Sequence, residues 1–507
     1  MNIKRAKEEI KNTIEAYLLK DENGEYAIPS IRQRPVLLIG PPGVGKTQIM
    51  EQISRECRIG LVAYTITHHT RQSAVGLPFI EKKMFGGREY TVTEYTMSEI
   101  VASIYNMIEE TGLKEGILFI DEINCVSETL APTMLQFLQC KTFGSHRIPE
   151  GWIIAAAGNP PEYNKSVREF DVVTLDRIKR IDVEPDLGVW KEYAYKENIH
   201  PAIISYLGIK GQNFCHIETT VDGKLFATPR GWEDLSELIL VYEKLEKRAD
   251  RDVIGQYIQH PRIAKDFANY LELYYKYQNQ YQVDQILEGI IREDLCDKVA
   301  RASFDERLSV TGLLLSKLAD GFKGMFMKNQ VMELLMVQLK AFRQELEPGE
   351  EPGAEARIET RIEARTEKRP DEVLRHLIDS MEAERVRKKK SGLLGRQEDR
   401  INRRCMTVME GLVKQMQSGT ITGKDEAWQW VRGEFMSRSD AYEELKKELG
   451  LKLEHAFDFM EAAFGNGQEM VIFVTELNTS QACVWFLEQY ECERYYQYNK
   501  ELLFDEQ

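Results

Sequence analysis

Residues 36–47 read VLLIGPPGVGKT, and their order decides what the rest of the chain can be. A short apolar run, Val36 to Ile39, leads into a glycine loop and then into TQIMEQI, whose apolar residues recur at helical spacing. Strand, glycine loop and helix in that order make a phosphate-binding loop. Gly40, Pro41, Pro42, Gly43, Val44, Gly45, Lys46 and Thr47 fill all eight positions of the pattern. The glycines let successive backbone N–H groups converge on phosphate oxygens, and the helix N-terminus adds partial positive charge. Lys46 is expected to reach the outer phosphates, and the Thr47 hydroxyl to ligate Mg²⁺.

Further along, residues 116–124 read GILFIDEIN. Ile117 to Ile120 form the near-continuous apolar run of a central parallel strand buried on both faces. Asp121 then stands at the strand's end, placed to hold the Mg²⁺ shell, and Glu122 follows, placed to polarise a water for attack on the γ-phosphate. Alone, a paired acid after a strand is equally compatible with a solvated turn; after a complete phosphate loop it points to hydrolysis. A third strand, WIIAAAGNP (152–160), stops at Asn159 and Pro160. The Asn159 amide can bond the γ-phosphate or the attacking water, although Asn-Pro also simply breaks strands.

Two arginine segments complete the pattern. In ATPRGWEDL (227–235), Thr228 suits an N-cap and Pro229 a first helical turn, which leaves Arg230 directly after them. In TLDRIKR (174–180), Arg177 and Arg180 stand in a basic cluster, for which satisfying helix C-terminal carbonyls is the plainer alternative role.

With these motifs in this order, residues 30–275 resemble the AAA+ ATPases and, within them, the MoxR-like group. Gly40–Thr47 match Walker A, Asp121-Glu122 match Walker B, Asn159 matches sensor 1, and Arg230 sits in the sensor 2 motif. The resemblance implies that Arg230 turns back over the γ-phosphate. It also implies that Arg177 is the arginine finger that completes a neighbouring subunit's site, with Arg180 as the substitute. The group's LDR segment is normally followed by Phe, where this chain has Ile178. Gly86-Gly87 between strand formers, with REYTVTEY (88–95) alternating, reads as a hairpin turn. The group carries a hairpin insertion at this place, directed toward the ring pore; a surface decoration is the plainer alternative. The resemblance further implies ATP and Mg²⁺ as cofactors and a homo-hexameric ring. It implies a remodelling or chaperone role on a client protein, often one with a von Willebrand A-type domain. The competing readings are a nucleic-acid motor of restriction-translocase type and an ATP-binding scaffold with little turnover; the intact Glu122 speaks against the scaffold.

The expected fold class is α/β, a P-loop parallel-sheet core with a helical lid and a mostly helical C-terminal extension. Residues 1–185 form the core, with the insertion near 77–96. Residues 186–275 form the lid, 276–347 a helical region, 348–370 a charged Pro/Gly linker, and 371–507 a mostly helical domain with no recognisable catalytic constellation. At 507 residues the chain exceeds a single core, since domains run to roughly 100–200 residues. A net charge of −15 disfavours an extensive duplex-binding surface, because phosphate recognition needs clustered Lys and Arg. The one concentrated basic run, ERVRKKKSGLLGRQEDRINRR (384–404), is read as an exposed linker face or as a contact for nucleic acid or an acidic partner. Eight scattered cysteines without a CxxC pair read as reduced thiols of a cytoplasmic protein, and His68-His69 as polar loop residues. No stretch reaches the ~18 uncharged residues of a membrane span. The apolar strip EMVIFVTEL (469–477) is either a strand or a buried helix.

Overall fold

The computed structural model describes residues 1–68, 76–143, 146–163, 167, 170–221, 223–346, 369–419, 421 and 423–505. The charged linker, apart from Arg369 and Pro370, lies outside the described residues, as does His69. The chain divides into two compact units. The first comprises Met1–Trp190, Phe214–Asp234 and Arg387–Gly395; the second comprises Lys191–Asn213, Leu235–Val386 and Arg396–Gln507. These units cut across the expected lid, whose segment 214–234 groups with the nucleotide core.

The first unit is built on a five-stranded sheet. Its strands are β1 (Val36–Ile39), β2 (Gly60–Thr65), β5 (Gly116–Asp121), β8 (Trp152–Gly158) and β9 (Lys179–Asp182), in the order β2-β5-β8-β1-β9. Every neighbouring pair is parallel. Parallel strands covered on both faces must be apolar on both faces, which is why the sequences of β1, β5 and β8 do not alternate; the edge strand β9 instead exposes Arg180 and Asp182. In β5, Leu118 and Ile120 face one core with Ile104, Met134 and Trp152, whereas Ile117 and Phe119 face the other with Ile10, Met50 and Ile53. Each such side chain, fully buried, contributes roughly 1.5–3 kcal/mol. Gly116 gives the Trp152 indole its seat, since a β-carbon there would lie 2.6 Å from the ring.

Around the sheet stand α1 (Ile3–Leu18), α2 (Lys46–Cys57), α3 (Glu99–Thr111), α4 (Ala131–Cys140) and the single turn α5 (Val172–Leu175). The Gly86-Gly87 hairpin joins β3 (Pro78–Phe85) to β4 (Arg88–Tyr95), paired antiparallel from Pro78–Tyr95 to Phe85–Arg88. Both glycines take positive φ, 56° and 80°, as the tight turn requires. Two short strands, β6 (Thr142–Phe143) and β7 (His146–Arg147), form a further small pair. The segment expected to be mainly helical also contains a second hairpin, β10 (His216–Thr220) with β11 (Gly223–Ala227).

The second unit is helical. It includes parts of α6 (Leu187–Glu197) and α8 (Pro229–Lys244), and α7 (Pro201–Ile209) lies wholly within it. There follow α9 (Arg251–Tyr257), α10 (Pro261–Tyr281), α11 (Val283–Leu287), α12 (Glu293–Ala300) and the long α13 (Phe304–Leu346). The last helices are α14 (Pro370–Lys390), α15 (Arg396–Ser418), α16 (Lys424–Phe464), α17 (Gln468–Thr479), α18 (Gln481–Gln489) and α19 (Glu493–Asp505). Leu335, Leu339 and Phe342 of α13 share a core with Leu374, Leu377, Met409, Leu412 and Val431. The strip 469–477 is the helix α17, and its buried residues Met470, Phe473, Val474 and Leu477 follow the 3.6-residue period. Among the described residues no single helix is long and apolar enough to cross a membrane.

Candidate functional site

The phosphate loop runs from the end of β1 into α2, and its shape depends on two glycines. At Gly40 a β-carbon would lie 2.5 Å from the carbonyl oxygen of Val183, so only glycine lets β1 run out beside β9. Gly43 takes φ +79°, and a β-carbon there would meet Cβ of Arg230 at 3.0 Å. The loop and the first turn of α8 are therefore in direct contact. Thr228 Oγ1 accepts from the Gly231 amide at 3.2 Å, the capping arrangement that starts α8 and sets Arg230 in its first turn. Arg230 is exposed there.

Lys46 opens α2 and is buried, at 8% exposure. Its ammonium donates to Gly40 O (2.7 Å), Pro41 O (2.8 Å) and Asn159 Oδ1 (3.0 Å). Burial pushes its pKa down to about 8; Asp121 and Glu122 oppose that shift, and Arg230 adds to it. Thr47 Oγ1 donates to Asp121 Oδ2 at 2.8 Å, while the other Asp121 oxygen accepts from the Glu122 amide at 2.9 Å. An oxygen-rich pair at this separation, beside a buried ammonium and an anion-seeking helix N-terminus, suits a hard divalent cation and phosphate.

Glu122 sits in the left-handed region, with φ +56°. A bulky residue held there costs on the order of 1–3 kcal/mol, a strain concentrated at functional sites. Its carboxylate accepts from Thr67 Oγ1 at 3.1 Å. Asn159 is fixed from behind, because Asn124, itself 5% exposed, donates from Nδ2 to Asn159 O at 2.7 Å. A cleft of about 570 Å³ adjoins the loop, lined by Gly40, Pro41, Asn124, Asn159, Arg180 and Asp182 among others.

Of the residues expected to act, Lys46, Thr47, Asp121, Glu122, Asn159 and Arg230 are brought together by these contacts, with Gly43 joining the loop to Arg230. Arg177 is not among them; it is exposed beyond α5 and donates to Gln139 Oε1 of α4 at 2.5 Å. Arg180 lies on β9, lines the cleft and pairs with Asp182 at 2.8 Å. The basic cluster of 177–180 is thus split between a turn and a strand, which does not fit its alternative role at a helix end. Thr67 and Asn124 escaped the sequence reading. Asn124 had a signal, two residues after Glu122, whereas Thr67 had only its place after β2.

Fold and site together define a P-loop nucleotide-binding domain of the AAA+ type. Residues 36–175 match the family described as ATPase family associated with various cellular activities (AAA), so this segment is an AAA ATPase domain, a class that binds nucleotide. Among solved structures the chain is similar to two point mutants of RuvB from Thermotoga maritima. One is 15% identical, with a TM-score of 0.29, covering 50% of this chain and 69% of that one. The other is 17% identical, with a TM-score of 0.27, covering 51% and 69%. No curated protein matches the chain.

Proposed function

We propose that this chain is a MoxR-like AAA+ ATPase that assembles into a homo-hexameric ring in the cytoplasm. There it uses ATP hydrolysis to remodel a client protein, foremost one with a von Willebrand A-type domain. The observation that carries this reading is the split among the charged groups: Lys46, Asp121, Glu122 and Arg230 converge at one phosphate loop, while Arg177 stands exposed elsewhere on the surface.

Bound Mg²⁺ would neutralise phosphate charge and orient the phosphoryl group under attack. Thr47 and Asp121 would hold it. Lys46 would exchange its bonds to Gly40 O and Pro41 O for phosphate oxygens. Glu122 would polarise the water, and Asn159, already bonded to Lys46, would orient it. Arg230, packed on Gly43, would face the γ-phosphate. Arg177 would complete the neighbour's site, a contribution worth roughly 10³–10⁵ in rate in related phosphoryl transfer.

Mixing two inactive variants tests the shared site. Lys46→Ala keeps a working finger and Arg177→Ala keeps a working loop, so each alone should be inactive and the mixture should regain ATPase activity. No regain, or full activity of Arg177→Ala alone, would remove Arg177 from this role and bring Arg180 forward. A protein client is preferred over nucleic acid because of the net charge of −15. Within the basic run, moreover, Arg385 is already held by Glu382 at 2.7 Å and Asp399 at 2.6 Å.

A further inference from the structure

We propose that the helical second unit holds a binding site for a small zwitterion whose amine and carboxylate are separated by an apolar stretch, in the open cavity lined by α6, α7, α13, α17 and α18. The cavity measures about 210 Å³. One water needs roughly 10–15 Å³ on such a measure, so there is room for many. Ala194, Ile204, Leu308, Leu315 and Ile472 nevertheless give most of the wall nothing with which to hold water. A space of this size and polarity suits an organic molecule with few, well-placed polar groups.

Small residues keep it open. Gly312, Ser316 and Ala319 succeed one another along the lining face of α13. A β-carbon on Gly312 would lie 2.9 Å from Ser205 Oγ, and one on Gly208 would lie 3.3 Å from Lys191 Nζ. Side chains at either place would close the space.

Each end of the cavity carries charge. At one end Lys191, with its side chain 17% exposed, pairs with Glu476, whose second oxygen accepts from Tyr195 OH at 2.6 Å. The pair satisfies the carboxylate and engages one of the three ammonium N–H donors. The remaining donors call for an anion. At the other end Lys323 is spent on Asn198 Oδ1 (2.6 Å) and Lys196 O (2.9 Å). Asp320, one turn earlier on α13 and exposed at the rim, feels the charges of Lys323 and Lys317, yet makes no hydrogen bond or ion pair with either among the described residues. That carboxylate calls for a cation. Lys191 and Asn198 are seven residues apart, about 10 Å along a helix. An α-amino acid carries both charges on one carbon, short of that backbone span, so a longer zwitterion is the better match. A short apolar peptide and an ω-amino acid share the required chemistry.

Calorimetric titration of the full chain tests the site with 6-aminohexanoate and the dipeptide Leu-Leu as probes, and hexanoate and hexylamine as one-ended controls. At least one probe should bind, with both controls roughly tenfold weaker or more. Asp320→Asn, a near-isosteric change at an exposed position, should bring 6-aminohexanoate down to the hexanoate level. Ser316→Leu should fill the cavity and abolish binding. The tighter of the two probes identifies the source as peptide or free ω-amino acid. The proposal is overturned if neither probe binds up to about 10 mM. It is equally overturned if a control matches its probe, or if Asp320→Asn leaves binding unchanged.

Discussion

Gly43 of the phosphate loop packs directly on Arg230 of α8, so closely that a methyl group on the glycine would lie 3.0 Å from the arginine Cβ. The position of Arg230 is therefore coupled to the phosphate loop. Gly43→Ala would combine left-handed backbone strain with displacement of Arg230, and the ATPase rate should fall at least about tenfold. Because the two residues touch, the double variant Gly43→Ala/Arg230→Ala should be little worse than the worse single variant. Steady-state rates of the four proteins decide; strictly multiplicative losses would mean the contact transmits nothing.

Thr67 ties the Glu122 carboxylate at 3.1 Å. Released from that bond, Glu122 is freer to reach a water. Thr67→Val is expected to raise basal ATP turnover roughly three- to tenfold, within the range of one partly exposed hydrogen bond to a charged group. In a Glu122→Gln background the same change should do nothing. A fall in turnover with Thr67→Val would show that the hydroxyl instead holds Glu122 in its working position.

Burial brings Lys46 to about pH 8, and its partners at Asp121 and Glu122 only partly offset this. Above that pH the free protein carries a neutral amine, which has lost its attraction for phosphate. A bound polyanion raises the same pKa, so binding takes up a proton and affinity declines as pH rises through 8. The loss should approach about tenfold per unit above it. Titrating a fluorescent ATP analogue from pH 7 to 9.5 reads this directly. A flat profile would place the Lys46 pKa well above the titrated range.

Lys141, 3% exposed, has Ser30 Oγ and Gln33 Oε1 as acceptors and no carboxylate within ion-pair distance among the described residues. Burial lowers its pKa to about 8 from 10.5. Between those values the unfolded chain binds more protons than the folded one, so stability rises with pH there, and the full penalty applies below about 8. Lys141→Met should stabilise the protein by roughly 1–2 kcal/mol at pH 7, after the lost bond to Gln33 is discounted, with the gain shrinking toward pH 10. Urea unfolding at pH 7 and 9.5 measures it; a less stable variant at pH 7 would contradict the assignment.

What the sequence made legible was what is local. Gly40–Thr47, the apolar run ending at Asp121-Glu122 and the Gly86-Gly87 turn each carry their chemistry within a few neighbouring residues. Thr228 likewise announces the start of α8. The β10–β11 hairpin has its own local signal in Val221-Asp222-Gly223, a turn sequence between strand-forming residues, set within a stretch whose pattern is otherwise helical. Thr67, the burial of Lys141 and the contact of Gly43 with Arg230 depend on segments distant in sequence, and no spacing rule announces them. The strip at 469–477 was ambiguous because its apolar run suits either period; burial of Met470, Phe473, Val474 and Leu477 on one helical face resolved it.

On the proposed function, hydrolysis occurs at a site shared between subunits of a ring. The most direct test is the mass of full-length Glu122→Gln by mass photometry, with Mg-ATP and without nucleotide. This variant should bind ATP without turning it over, and it should shift to a species of about six subunits only when ATP is present. A particle that remains monomeric or dimeric with saturating Mg-ATP would contradict the shared-site ring.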